Sequence, residues 1–229
     1  MKLPAQVLPD PLPADPMPLA EAWLAEAWER RVQPNPDAMV LATCDSEGRP
    51  SARVVLCKRI VASPGYLLFY TNYRSRKGRE LAKNASAAGV LHWDSLHRQL
   101  RVEGRVVKAT AAESDAYFAT RAWQSRVGAW ASQQSEPVAS RDELVAAVCS
   151  AATRLGTPDP TGDDAEANAA TPVPRPAHWG GYRLWLESVE CWVEGEHRIH
   201  DRARWQRALT PADAYSFTPG PWSVSRLQP

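Results

Sequence analysis

The spacing of apolar positions changes several times along the chain, and each change marks an element. Between Leu19 and Arg31, Ala20, Trp23, Leu24, Ala27 and Trp28 recur at helical spacing with Glu21, Glu26, Glu29 and Arg30 off that stripe, which predicts one amphipathic helix. Pro34 and Pro36 stop it. From Ala38 the pattern turns to runs rich in β-branched residues, Ala38 to Cys44, Ser51 to Ile60 and Tyr66 to Thr71, separated by Asp45-Ser46-Glu47-Gly48 and Ser63-Pro64-Gly65. These runs predict an antiparallel meander. Ser75 to Asn84 (SRKGRELAKN) reads as a helix entered through a serine cap. Ala87 to Trp93 and Gln99 to Thr110 return to strand character, with Glu103-Gly104 marking a bulge or kink. Helices are expected at about Ala112 to Arg121 and at Arg141 to Leu155, and strands at Gly181 to Glu194 and Trp222 to Leu227. Many strands with few helices between them predict a mainly β barrel or sheet with flanking helices rather than a βαβ layout.

Prolines recur through residues 1–18, so this stretch is expected to be an extended N-terminal arm ahead of a single domain over residues 19–229. Residues 156–176 (GTPDPTGDDAEANAATPVPRP) hold almost no large apolar side chains and read as a flexible surface insertion. The remaining chain of this 229-residue protein is long enough to bury a full core without disulfides. Most of its ten tryptophans should lie in that core. The 27 Lys and Arg residues against 26 Asp and Glu residues leave a formal charge of +1, which excludes a nucleic-acid binder that works by bulk electrostatics. Any anion site must be local. No run of about 18 apolar residues predicts a membrane span. Cys44, Cys57, Cys149 and Cys191 are scattered, without zinc spacing, and read as reduced thiols of a cytoplasmic protein.

The common dinucleotide, P-loop, hydrolase and zincin signatures are absent, and no metal site is expected. What remains is a set of cations in unusual surroundings. Arg53 and Lys58 bracket the apolar run R-V-V-L-C-K, where each charge must find an anion or reach water, as it would on an edge strand. Tyr70-Thr71-Asn72 leads to Ser75-Arg76-Lys77 at a helix start, where free N–H groups favour an anion; a hydrated basic turn is the alternative. If the chain from Glu196 onward is extended, Arg198, His200 and Arg202 share one face, facing either an anionic ring system or a salt-bridged sheet. Tyr117, Arg121 and Ser125 have i, i+4 spacing and would line one helical face if the helix continues that far, as a phosphate-ester grip or as a solvated surface.

Taken together, LPADPMPLAEAWL, AMVLAT, RVVLCK, LLFYTN, SRKGRELAKN, HRQLRVEG, YFATRAWQSRVGAWASQQS, HWGGYRLWLESVECW, GEHRIHDR and RLQP resemble, in order, the pyridoxamine 5'-phosphate oxidase family. The resemblance implies an FMN-binding split β-barrel. It implies that FMN is held by Arg53, Val54, Val55, Leu56, Cys57 and Lys58, by Tyr70, Thr71, Arg76 and Lys77, and by Gln99, Gln134, Ser135, Trp192 and Arg202. It implies a phosphorylated pyridine gripped by Lys58, Tyr117, Arg121 and Ser125, with Arg198 and His200 at the reacting carbon. The implied reaction turns pyridoxamine or pyridoxine 5'-phosphate into pyridoxal 5'-phosphate, with dioxygen reduced to hydrogen peroxide. The implied assembly is a homodimer with FMN at the interface, and no nucleic acid or membrane takes part. Alternatives are a related phenazine-type flavin oxidase, or a noncatalytic carrier of flavin or pyridoxal phosphate. The chain departs from the family pattern at Arg121-Ala122-Trp123-Gln124-Ser125 (many relatives have R-P-R-D-S) and at Trp192-Val193-Glu194-Gly195-Glu196 (W-Q-G-G-E), and no R-x-x-Y segment precedes LPADP.

Overall fold

The protein is described from a computed structural model that covers residues 7–160 and 172–229. The helix α1 spans Met17–Glu29 and is followed by the meander β1 (Ala38–Cys44), β2 (Pro50–Val61) and β3 (Tyr66–Asn72). Next come α2 (Arg76–Lys83), β4 (Ser86–Trp93) and β5 (Arg98–Lys108), then the helices α3 (Ala111–Ala119), α4 (Trp123–Ala131) and α5 (Arg141–Leu155). The long strand β6 (Trp179–Val193) leads to β7 (Asp201–Gln206), the short pair β8 (Leu209–Pro211) and β9 (Phe217–Pro219), and the closing β10 (Ser223–Leu227). The main sheet runs β10-β7-β6-β3-β2-β1-β4-β5, and an additional β5–β6 pairing closes β1 to β6 into a barrel. The mainly β expectation is met. Alternation along the strands sends Met39, Leu41, Leu67, Phe69, Leu91, Trp93, Leu100, Leu184 and Leu186 into its core.

Two compact units emerge: residues 1–69, 80–108 and 182–229 form a barrel unit, and residues 70–79 and 109–181 form a helical unit. In the barrel unit the bulge expected at Glu103-Gly104 is present as a register shift against β6. A Cβ at Gly104 would lie 1.8 Å from the carbonyl oxygen of Trp185, so no larger residue fits there. The core of the helical unit gathers Phe118, Trp123, Val127, Ala151, Ala152, Val173 and Trp179.

The N-terminal arm is anchored where it is described: Leu8 is buried, its N–H donates to Asp201 Oδ2 at 2.7 Å, and the carbonyl of Pro13 accepts from Trp205 Nε1 at 2.7 Å. Three local expectations need correction. The first helix begins at Met17, not Leu19, because Asp15 accepts from the Met17 N–H and Pro18 fits the first turn, where no intrahelical donor is needed. Tyr117, Arg121 and Ser125 do not share one helix. The chain ends α3 at Ala119 and turns through an extended Ala122 (φ −51°, ψ 138°) before α4. The 196–202 segment is not extended throughout: Glu196–Arg198 forms a 3-10 turn with positive φ at His197 and Arg198. Gly195 allows this turn, since a Cβ there would lie 1.7 Å from the carbonyl oxygen of Ile199. The centre of the expected insertion, residues 161–171, lies outside the described residues.

Candidate functional site

In the helical unit, the end of β3 and the start of α2 build a cradle of donors. Ser75 is buried, and its Oγ accepts from the Gly78 N–H at 3.3 Å, which caps α2. Lys77 is buried, with Nζ donating to Thr71 Oγ1 (3.1 Å), Ser75 Oγ (3.3 Å) and Gln134 Oε1 (2.9 Å). The Arg76 N–H donates to Ser135 Oγ at 3.1 Å, and Asn72 Nδ2 donates to the carbonyl of Ser132 at 3.2 Å. Thr71, Arg76, Lys77, Gln134 and Ser135, separated by about sixty positions in sequence, therefore meet at one helix N-terminus. A helix N-terminus, a buried ammonium and hydroxyl groups are the chemistry that suits a phosphate.

The second cluster of the same unit surrounds Arg121. Its guanidinium lies 4.6 Å from the ring centre of Trp179 and 5.4 Å from that of Phe118. Nη1 is buried and has no hydrogen-bond partner among the described residues. Burial lowers its pKa from the ordinary arginine value. Arg121, Ser125, Asn72, Gln134 and Trp179 line a cavity of about 250 Å³ with Gly128, Ala129 and Ser132. Tyr117 stacks on Tyr70 with ring centres 3.8 Å apart, and Tyr70 stacks in turn near Trp179 at 5.6 Å. Arg121 and Ser125 thus line one cavity even though the helix between them breaks, and the wall they share includes Gln134 from the neighbouring cradle.

In the barrel unit, R-V-V-L-C-K lies on β2, which is paired on both sides by β1 and β3, so the edge-strand reading fails. Its charges find carboxylates. Arg53 reaches Glu80 Oε2 at 3.3 Å and also bonds Thr43 and Ser51, both of which donate to the buried Glu80. Lys58 Nζ meets Asp37 Oδ2 at 2.7 Å, and the Asp37 carbonyl accepts from the Cys57 N–H at 2.8 Å. Between them Val54 is exposed, Val55 and Leu56 are half-buried, and burial pushes the Cys57 thiol up to about 12.

Strand register assembles a third group on the barrel. Gln99 pairs with Trp192, and Trp192 with Arg202, across β5, β6 and β7. Arg202 donates through Nε and Nη2 to Glu190 Oε1 at 3.0 and 2.9 Å. The His200 ring lies 4.6 Å from that of Trp192, and its Nδ1 accepts from the Gly195 N–H at 3.2 Å. With Nδ1 accepting, the ring N–H is on Nε2. Arg198 is exposed on the 3-10 turn and does not follow the period-two row. Sequence reasoning missed Trp179, Asp37 and Glu80. Trp179 lies inside the quoted HWGGYR stretch and Glu80 inside SRKGRELAKN, but neither stands out by spacing. Among the described residues no group of acidic, histidine or cysteine side chains suits a metal.

Comparison with known proteins shows the family. Residues 24–153 match a family model described as pyridoxamine 5'-phosphate oxidase. Residues 179–229 match one described as the pyridoxine 5'-phosphate oxidase C-terminal dimerisation region. The chain is similar to the pyridoxine/pyridoxamine 5'-phosphate oxidase of Cereibacter sphaeroides, 44% identical over 198 residues, covering 86% of this chain and 87% of that protein. Its likeness to the protein of the same name from Paraburkholderia phytofirmans is 46% over 196 residues, covering 86% and 81%. Among solved structures, PhzG of Burkholderia lata in complex with tetrahydrophenazine-1-carboxylic acid superimposes with a TM-score of 0.78 at 31% identity, covering 96% of this chain and 95% of that one.

Proposed function

From the premise that this chain belongs to the pyridoxamine 5'-phosphate oxidase family, we propose that it is an FMN-dependent oxidase. It oxidises pyridoxine 5'-phosphate to pyridoxal 5'-phosphate, or pyridoxamine 5'-phosphate with uptake of water to pyridoxal 5'-phosphate and ammonia, and in either case dioxygen takes up the two hydrogens as hydrogen peroxide. The observation that carries the reading is Arg121: a guanidinium with a buried, unpartnered Nη1 at a cavity that also holds a serine hydroxyl. Such a group costs free energy until an anion completes it. A phosphate ester is the anion that fits its fork.

The cradle at the start of α2 fits a flavin phosphate by the same chemistry, with Arg76, Lys77, Thr71, Gln134 and Ser135 as its holders. When bound, FMN supplies the hydride acceptor and the later reaction with dioxygen. The chain's own residues bind and orient. Arg121, Ser125 and Tyr117 are proposed to hold the substrate phosphate, and the stacked rings of Tyr70, Tyr117 and Trp179 wall off water in the helical unit. Gln99, Trp192 and Arg202 are proposed to hold the flavin together with the β2 run Arg53 to Lys58. Arg198 and His200 position the reacting carbon. Because His200 Nδ1 accepts from Gly195, the ring offers Nε2–H as a donor to the substrate. The matched dimerisation region supports a working pair of chains. The four free thiols support a reducing compartment, the cytoplasm.

The likeness to PhzG favours a second reading, an oxidase of a ring acid without a phosphate ester, with Arg121 holding a carboxylate. Anaerobic mixing of FMN-loaded protein with pyridoxine 5'-phosphate separates the two. Bleaching of the flavin, followed by pyridoxal 5'-phosphate and peroxide on admitting air, is expected; a flavin that stays oxidised contradicts the proposal.

A further inference from the structure

We propose that Trp179 is a positioning residue that sets the preference of the Arg121 cavity for a phosphate ester, by holding the guanidinium on an aromatic face instead of on a carboxylate. The inference takes its substrate from the oxidase reading, whereas its binding test does not depend on turnover. Arg121 sits in the short link between α3 and α4, where no helix fixes its side chain. What fixes it is the indole 4.6 Å away, with the Phe118 ring on a second side at 5.4 Å. An acid of the preceding helix is engaged elsewhere: Asp115 on α3 accepts from Arg175 Nε at 2.6 Å. Arg175 also donates through Nη1 to the carbonyl of Trp179 at 2.7 Å, so one arginine both occupies the acid and ties down the tryptophan backbone.

The indole itself has little freedom. Its edge contact with Phe118 is at 5.0 Å and 64°, and it lies parallel to Tyr70 at 5.6 Å. The Trp179 N–H donates to the carbonyl of Pro176 at 3.0 Å. Gly180 and Gly181 follow it, and a Cβ at 180 would stand 2.1 Å from Tyr73 Oη, so the chain beyond the tryptophan approaches its neighbours too closely for any side chain. An aromatic face attracts a guanidinium without neutralising it and leaves the N–H edge open. A carboxylate partner would have to be displaced by each incoming ligand. The arrangement stores an uncompensated charge that a phosphate satisfies and a hydroxymethyl group does not.

The test uses the full chain loaded with FMN, and the variants W179F, W179L and R121M. The binding probe is inorganic phosphate, followed by calorimetry, counting only the binding that R121M abolishes. W179L is expected to lower that affinity about tenfold, and to raise KM for pyridoxine 5'-phosphate by a similar factor with kcat changed less than about twofold. W179F, which keeps an aromatic face, is expected to stay within about threefold of the parent. Unchanged phosphate affinity in W179L overturns the proposal, as does an equal loss in W179F and W179L. Should W179L not fold, W179M takes its place: it keeps bulk without an aromatic face and is expected to lower phosphate affinity about tenfold, and parental affinity in W179M overturns the proposal. Trp179-dependent phosphate binding without oxidase turnover defeats the oxidase reading alone. Turnover with Trp179-independent phosphate binding defeats this inference alone.

Discussion

In the barrel unit, cations on the strands are matched with carboxylates of the same unit: Arg53 with Glu80, Lys58 with Asp37, and Arg202 with Glu190. In the helical unit, Arg121 rests on the faces of Trp179 and Phe118, and Lys77 donates to the neutral oxygens of Thr71, Ser75 and Gln134. The two arrangements follow different physical demands. A carboxylate partner completes a charge and contributes to the fold at once, although it then competes with any incoming anion. Neutral and aromatic partners fix the position of a cation and leave its charge for a ligand. The contrast therefore separates barrel cations that a carboxylate already completes, and that contribute to the fold whatever else they touch, from Arg121, whose buried Nη1 has no partner among the described residues.

Substitutions can break this contrast. The largest effect is expected from Arg121→Met in steady-state assays. Loss of two charge-assisted bonds raises KM for pyridoxine 5'-phosphate by about a hundredfold. Lys77→Met should follow, with FMN affinity by fluorescence titration lower by roughly tenfold or more, because one buried charge-assisted contact disappears. In the barrel, Glu80→Gln should instead cost stability, about 2 kcal/mol in urea unfolding, since Arg53 loses its carboxylate and Thr43 and Ser51 lose a charged acceptor. If Glu80→Gln leaves stability intact, the division between fold-holding and ligand-holding charges fails.

A further effect, read as a slope rather than a single value, is a pH dependence of the barrel core. Burial pushes the thiols of Cys57 and Cys191 up to about 12 from the usual 9.0. Folding keeps them protonated where the unfolded chain would ionise them. The stabilisation is full below pH 9 and is lost as pH rises from there toward 12, by at most about 1.4 kcal/mol per pH unit for each thiol. Urea titrations between pH 8 and 10.5 should show that decline, and substitution of Cys57 by valine should reduce its slope. Thiol reagents at pH 8 should leave both residues unmodified in the folded protein.

How much of this was legible in the sequence depends on what sets each feature. Strands β1 to β6 follow from local alternation, and their ends move by only one or two residues between pattern and structure. Helix α5 agrees at both ends because Ser140 and Gly156 are caps written locally, the serine accepting from the Glu143 N–H and the glycine at φ 65°. The pattern ends a helix near Arg121 but does not announce α4. Phe118 and Trp123, on either side of the link, pack into one core that no local period shows. The row of Arg198, His200 and Arg202 fails for a backbone reason, the 3-10 turn that Gly195 permits. The cations themselves were visible. Their partners, Glu80, Asp37 and Trp179, come from other elements, and no period in the chain announces them.

The central claim is that the helical unit keeps Arg121 uncompensated so that a phosphate ester can complete it. Thermal unfolding of the parent and Arg121→Met, each with and without pyridoxal 5'-phosphate, tests it most directly. The variant is predicted to be at least as stable as the parent without ligand, because a buried unpaired charge is gone, and the ligand is predicted to raise the midpoint of the parent much more than that of the variant. A variant less stable than the parent on its own, and raised by the ligand to the same extent, would contradict the account.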